Sequence, residues 1–531
     1  MVAVICSHAT EPLQTNEIHV MNIATATDPS IENAGADSRQ LWNADLAPTT
    51  IAQRTWTWLN ISALWVGMAI CVPAYLLASG LMTQGMSGWQ AMLTVLLGNL
   101  IVLVPMLLIG HAGARYGVPF PVLLRASFGT IGARLPGLLR GLVACGWFGI
   151  QTWVGGFAIY QILNAVSGRA FVGEPLAVID IDLAQFTCFM VFWAIQVYFI
   201  AKGVESIRWL ETLGAPFLLL AALGLLAWAY VNGGGFGGIL SQPSEFVTGG
   251  RLEGRFWHVF WPSLTAMVGF WSTLSLNIPD FTRFARSQRD QVIGQAIGLP
   301  IPMTLLAFLS VTVTSATVVV FGERIWDPVE IAGRMGGGAA MLGLVFLLLA
   351  TMTTNLAANV VAPANGFSNI APRLISFKTG GYITAGLGIA IMPWKLLETA
   401  GSYLFVWLVG YSSLLGPIAG ILISDYFFVR RCRLNAAAFY QRNKDYEYHR
   451  GWNPYAILAL VLGILPNLAG FLTAIGAIDS APAYLVEIYN YAWFVGAFTS
   501  GICYYFFMRN IRVSLPCSRL RRKAAALDCI K

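Results

Sequence analysis

The sequence predicts an all-α polytopic membrane protein of twelve transmembrane helices. Ten form a five-plus-five inverted-repeat transporter core with discontinuous helices one and six, and two additional helices follow at the C-terminal end. Three observations carry this. Of 531 residues, 57% are hydrophobic and 11% charged, a balance outside that of soluble domains. Twelve runs reach or approach the roughly 20 apolar residues that cross a bilayer. Helix breakers also fall at matching places in the first and sixth runs.

Residues 1–54 are polar and aperiodic and lack a basic-then-apolar leader, so a disordered cytoplasmic tail with no cleaved signal peptide is expected. The first repeat, 55–231, holds spans near 57–83, 88–112, 136–166, 182–201 and 207–231. The second, 256–430, holds 256–279, 290–321, 338–363, 379–394 and 401–429. Residues 431–452 read as a solvated cytoplasmic loop, 453–508 contain spans eleven (453–475) and twelve (484–508), and 509–531 form a basic cytoplasmic tail.

Basic residues set the expected orientation. Arg115, Arg125, Arg134, Arg283, Arg286, Arg289, Arg430, Arg431 and Arg433 share the side of both termini, while the opposite loops hold Arg169, Arg251, Arg255, Arg324, Arg334 and Lys395. The positive-inside rule places both termini in the cytoplasm, with the chain in the cytoplasmic (inner) cell membrane. The net charge of +7 is therefore a topology signal, and the "RLRRK" at Arg519 to Lys523 suits anionic headgroups of the lipid bilayer rather than nucleic acid. Eight scattered cysteines without a Cys-x-x-Cys pair read as reduced apolar residues, with no transition-metal site.

Span one reads "LWVGMAICVPAYLLASG", with Gly67 and Pro73; span six reads "WPSLTAMVGFWSTLSLNIPDF", with Gly269 midway and Pro279 at its inner end. Glycine and proline are common in membrane helices, but paired breaks at corresponding positions mark a binding site between repeats, with unwinding expected at Gly269 and Phe270. Span three carries "ACGWFGIQTWVGG", which sets Trp147 and Gln151 on one face at i and i+4. Either they address a flat ligand, or Gln151 bonds a neighbouring helix and Trp147 packs. In span eight, "LLLATMTTNLAANVVAPANG", Ala350, Thr353 and Thr354 share one face and Asn355 and Asn359 another. The step from Thr354 to Asn359 is about 140° net, so one face suits an ion and the other a substrate. Back-bonding of the threonine hydroxyls to their own helix is the alternative.

Taken in order, "NADLAPTTIAQRTWTWLNISALWVGM", "GWFGIQTWVGG", "GFWSTLSLNIPDFTRFARS" and "TTNLAANVVAPANG" resemble the nucleobase:cation symporter-1 family, from about residue 43 to 510. The resemblance implies a symporter for a purine, pyrimidine, hydantoin or allantoin. It further implies that Trp147 and Trp271 sandwich the ring, that Gln151 and Asn359 bond its edge, and that Phe270 lies at the unwound position. Cys71 stands where some relatives use an amide. It implies a sodium site of carbonyls from Gly67, Ile70 and Ala350 and hydroxyls from Thr353 and Thr354.

The ion is expected to be sodium, with a proton as the alternative; no other cofactor is implied. Glu211, Asp280 and Asp425 read as interfacial helix-end charges rather than proton carriers. An enzyme is not expected, because His-Glu-x-x-His, Asp-Asp and Gly-Lys-Ser/Thr are all missing from the sequence. A channel or sensor for the same compounds is the remaining rival. Nothing in the sequence sets an oligomeric state.

Overall fold

The structure, a computed structural model, describes residues 41–42, 46–202, 220, 222–237, 241–371, 374–442 and 445–511. The tail before 41, most of span five with Glu211, and the basic tail after 511 lie outside the described residues.

Among those residues the chain is helical, without a β-strand. Six helices are long and apolar enough to cross a bilayer: Gly88–Tyr116, Arg134–Ser167, Leu183–Lys202, Gln288–Phe321, Ser402–Val429 and Pro454–Ala474. The bent pair Trp58–Ala69 and Val72–Thr83 makes a seventh. Shorter or more polar helices fall on the other expected spans: Ala222–Asn232, Phe256–Asn277, Gly337–Asn359 with Val361–Ile370, Phe377–Ala390 and Ala492–Met508.

Span one breaks where its sequence demands. Helix Trp58–Ala69 stops, Ile70 and Cys71 leave helical geometry, and Val72–Thr83 restarts with Pro73 at its second position. Proline has no N–H to give and its ring collides with the carbonyl four residues back, here Ala69. The two halves meet at 58°. Ser310 Oγ donates to the Tyr75 carbonyl at 2.7 Å and accepts from the Ser79 N–H at 3.0 Å, so span seven supplies polar partners beside the break.

Span six differs from expectation. It runs unbroken through Gly269 and Phe270 to Asn277 and is interrupted only at Ile278, before the single turn Pro279–Thr282. The reason is again proline, this time Pro279. The loosening expected at Gly269 takes another form: its carbonyl accepts hydroxyls from Ser272 (2.7 Å) and from Tyr411 of span ten (2.9 Å).

The packing is reciprocal between repeats. Span one lies against span seven and span two against span six, while span three packs on spans four, eight and nine. These are the relations expected when members one and two of each repeat pair with members two and one of the other. With lipid as solvent, amphipathicity gives way to close approach of small residues. A Cβ at Gly149 of span three would stand 2.4 Å from the Gly388 carbonyl oxygen of span nine. Leu93, Leu97, Leu100 and Val104 leave an exposed apolar stripe on span two, the surface a bilayer covers.

At one end of the bundle the basic segments meet. Arg125, fully buried on the short helix Phe120–Phe128, donates to the carbonyls of Leu41 and Phe439 and to Asn369 Oδ1. Two expectations are corrected here. Residues 46–54 are not a free tail: Leu46 is buried, the Thr49 N–H donates to the Gly117 carbonyl (2.9 Å) and its hydroxyl to the Arg283 carbonyl (2.6 Å). Nor is the 431–452 loop solvated. Phe439 and Tyr446 are buried and stacked at 4.7 Å, and Tyr440 Oη donates to the Leu46 carbonyl at 2.7 Å. Aromatic anchors at irregular spacing pin the loop beneath its charges. Asp425 is likewise buried rather than interfacial, accepting from Arg430 Nε (2.8 Å), Tyr504 Oη (2.8 Å) and Ser127 Oγ (3.1 Å).

Candidate functional site

The break in span one faces the middles of spans three, six and eight across a cavity. Cys71, Trp147, Gln151, Phe270, Trp271, Thr354 and Asn359 line it, with Met68, Arg140 and Thr273. The six residues expected around a substrate are therefore brought together. The cavity is small, about 40 Å³, room for a few water molecules.

Its aromatic wall is built edge to face. Phe270 stands nearly perpendicular to Trp147 (ring centroids 5.2 Å apart) and to Trp271 (4.8 Å). Behind them Trp147 meets Trp407, Tyr411 and Tyr403 of span ten, and Trp271 meets Trp65 of span one. Each such pair contributes about 0.5–1.5 kcal/mol beyond burial, so the indoles are held rather than adaptable. The Trp271 indole N–H and the Gln151 Oε1 acceptor are buried without a hydrogen-bond partner, while the Trp147 indole N–H lies against the Tyr411 hydroxyl. Buried polar groups are normally paired, and two idle ones at one cavity point to a ligand's rim.

The amide at Asn359 is oriented by a polar chain. Its Nδ2 donates to Asn355 Oδ1 (2.9 Å). Asn355 Nδ2 in turn reaches Gln196 Oε1 (2.7 Å), the Phe148 carbonyl (3.1 Å) and Thr152 Oγ1 (3.2 Å). Gln196 Nε2 closes the chain on Thr152 Oγ1 at 2.9 Å. Spans three, four and eight are thus tied together behind the cavity, in a setting where an unpaired amide is costly.

The residues expected to hold a cation are not gathered in the same way. Thr353 donates its hydroxyl to the Ala350 carbonyl at 2.8 Å, Thr354 faces the cavity beside Asn359, and Ile70 lies at the break. Gly67 is exposed, and a Cβ there would meet no neighbour within 4 Å. Span eight therefore does not close on span one at Gly67.

Sequence reasoning missed Arg140 and Gln196. Arg140 was detectable: it is a charge inside an apolar span, seven residues and two turns before Trp147. Gln196 sits in an apolar run whose only sign of purpose is the amide itself.

Residues 48–496 match the family described as permease for cytosine/purines, uracil, thiamine, allantoin. The chain belongs to this family. The permease is 44% identical over 513 residues to the purine-uracil permease NCS1 of Arabidopsis thaliana, covering 95% of this chain and 83% of that protein. It is 39% identical over 485 residues to the allantoin permease of Bacillus subtilis, covering 90% and 95%. Among solved structures, Mhp1 in an inward-facing conformation superposes on the permease with a TM-score of 0.73 at 28% identity, covering 91% of this chain and 96% of that one. Mhp1 in a closed conformation with bromovinylhydantoin bound, described as a nucleobase-cation-symport-1 family transporter, superposes at 0.69 and 27% identity over 90% and 97%. The family resemblance carried by the motifs of spans one, three, six and eight is borne out, and with it the fold: a multi-pass helical membrane protein with a transporter core.

Proposed function

We propose that the permease is a secondary active symporter. It imports a planar nucleobase-like heterocycle, of allantoin, hydantoin, uracil or purine type, across the cytoplasmic membrane together with sodium, by alternating access, and both termini face the cytoplasm. The observation that carries this reading is the cavity at the span-one break, with two indoles in its wall, one of them with an unpartnered N–H, an idle amide oxygen and an oriented asparagine. A flat heterocycle offers two π-faces and a rim of donors and acceptors that answer these groups. Several modest terms of about 1 kcal/mol each suit micromolar affinity, tight enough to bind and weak enough to release. The relatives named for uracil, allantoin and purines support the same substrate range.

In this mechanism spans one, two, six and seven move as a group against spans three, four, eight and nine, matching the two packing groups of the fold. An ion entering from outside draws the first half of span one toward Thr353 and Thr354 and completes the pocket. Coupling needs only that ion and substrate each favour the state the other binds. A proton is the second reading, favoured by Gly67 standing clear of span eight. No chemical step on the substrate is involved, and a non-enzymatic carrier is proposed.

Uptake of labelled uracil, allantoin, hydantoin and purines into vesicles, with sodium and pH gradients imposed separately, tests this. Sodium-dependent uptake and counterflow against unlabelled substrate are expected. Uptake indifferent to sodium but abolished by a protonophore overturns the sodium assignment, and absence of counterflow overturns the carrier. Thr353→Ala is expected to raise the sodium concentration needed for half-maximal uptake about tenfold.

A further inference from the structure

Arg140 lies two turns from Trp147 toward the basic end of span three, about 10 Å along the helix. It is 4% exposed and lines the same cavity. Its Nε donates to Asn277 Oδ1 at 2.6 Å, while its Nη1 is buried with no hydrogen-bond partner. Asp280 reaches Arg140 only through its field and instead accepts the Phe120 N–H at 2.8 Å. No ion pair to Arg140 forms among the described residues. A buried guanidinium with an idle N–H is costly in a membrane and is retained most readily where a ligand completes it.

At the cavity, Arg140 Nη1 and Trp271 Nε1 are buried donors without a partner and Gln151 Oε1 a buried acceptor without one. A guanidinium cannot accept a hydrogen bond, and it does not give up its proton. A ring carbonyl meets it well. An exocyclic amino group sets donor against donor and leaves both unpaired, the arrangement that discriminates most strongly between otherwise similar ligands.

We propose that Arg140 is a specificity residue of the transport site: its free Nη1–H donates to a ring carbonyl oxygen of the bound heterocycle. The permease accordingly prefers oxo heterocycles, whose ring N–H is flanked by carbonyls, over amino-substituted bases. The proposal rests on the reading of this cavity as the transport site. Arginine rather than lysine suits the task, because one edge of its planar fork is spent on Asn277 while another stays directed at the ligand.

The test is competition by unlabelled uracil, hydantoin, allantoin, cytosine and adenine, in proteoliposomes of the full chain, against whichever labelled compound is taken up. In the wild type, oxo compounds are expected to compete at concentrations about tenfold or more below amino compounds. Arg140→Met is expected to weaken the oxo compounds about tenfold and leave the amino compounds within about threefold, collapsing the preference; Arg140→Lys retains part of it. Should Arg140→Met fail to accumulate, the wild-type panel still decides, since equal or reversed preference overturns the proposal. An unchanged preference in a folded Arg140→Met overturns it while leaving the transport reading intact. Uptake of none of the compounds overturns that reading and the proposal with it.

Discussion

The Tyr411 hydroxyl donates to the Gly269 carbonyl across 2.9 Å. Eight residues earlier on the same span, Tyr403 donates to the Pro73 carbonyl, also at 2.9 Å. Span ten thus hydrogen-bonds the first member of each repeat, beside the glycine of one and the proline of the other. Both tyrosines also contact Trp147, so the state of each helix is felt at the cavity wall. The segment carrying Tyr403, Ser402–Leu408, is a π-helical turn, a distortion that recurs at functional sites.

Removing these hydroxyls separates the two contacts. Tyr411→Phe leaves Gly269 its second donor, Ser272, and is expected to cost under about 1 kcal/mol. Tyr403→Phe takes away the side-chain donor at Pro73 and is expected to cost about 1–2 kcal/mol. Thermal unfolding measures the stabilities, and uptake should slow in both with the ring contacts retained.

Trp271→Ala is expected to abolish uptake while the protein still reaches the membrane. Its ring touches Phe270 and Trp65, so a loss of about 3 kcal/mol in stability accompanies the change. Trp271→Phe, which keeps a π-face but no N–H, should retain partial transport. Full activity in the alanine variant would dismiss the aromatic sandwich.

Gln196 does not line the cavity, yet Gln196→Leu is expected to raise the half-saturation concentration for substrate roughly fivefold to tenfold. It strands Asn355, whose amide orients Asn359, at a cost of about 1–3 kcal/mol. Equilibrium binding measured beside maximal uptake rate distinguishes this from general damage, since affinity should fall more than rate.

Asp327 caps the helix Pro328–Met335 by accepting the Val329 N–H at 2.8 Å, at the end of the molecule away from the arginine cluster. Burial, aided by the charge of Glu330, pushes its carboxyl up to about 6, although the Val329 N–H pulls the other way. A raised carboxyl means the folded protein holds the proton more tightly than the unfolded chain. Stability from this group is therefore fully present below about pH 4 and lost as pH rises through about 6. Asp327→Asn keeps the cap and is expected to stabilise on the order of 1 kcal/mol at pH 7.5. Near pH 4 it should bring little gain in a thermal unfolding series.

What composition and spacing reveal is unequal across the chain. Span one could be drawn to within a residue or two because Pro73 acts locally. Gly269 misled, since a glycine permits a break without requiring one, and tertiary donors on span ten keep that helix whole. The residues that line the cavity were recoverable from helical periodicity and family motifs, because indoles and amides at membrane depth stand out against an apolar run. Hydroxyls have several uses: Thr353 spends its hydrogen on the Ala350 carbonyl, the back-bonding alternative that spacing leaves open beside an ion site. The 431–452 loop resisted for a different reason. Its charges dominate any local hydropathy average, whereas Phe439 and Tyr446 stack only once the chain has folded back on itself.

The bond between Tyr440 and the Leu46 carbonyl joins positions 394 residues apart. At about 5–20 residues per second, a ribosome needs on the order of 20–80 s to deliver the second partner after the first. Ten spans are thus committed to the bilayer before the Leu46–Tyr440 bond can form, whereas the Thr49 bond to the Gly117 carbonyl needs only the first two. The arginine-rich end of the newborn chain is therefore fastened in part early and in full only then. Closure of that end is the late event of biosynthesis. A chain arrested after span nine would hold the residues of the cavity and lack the clasp beneath them.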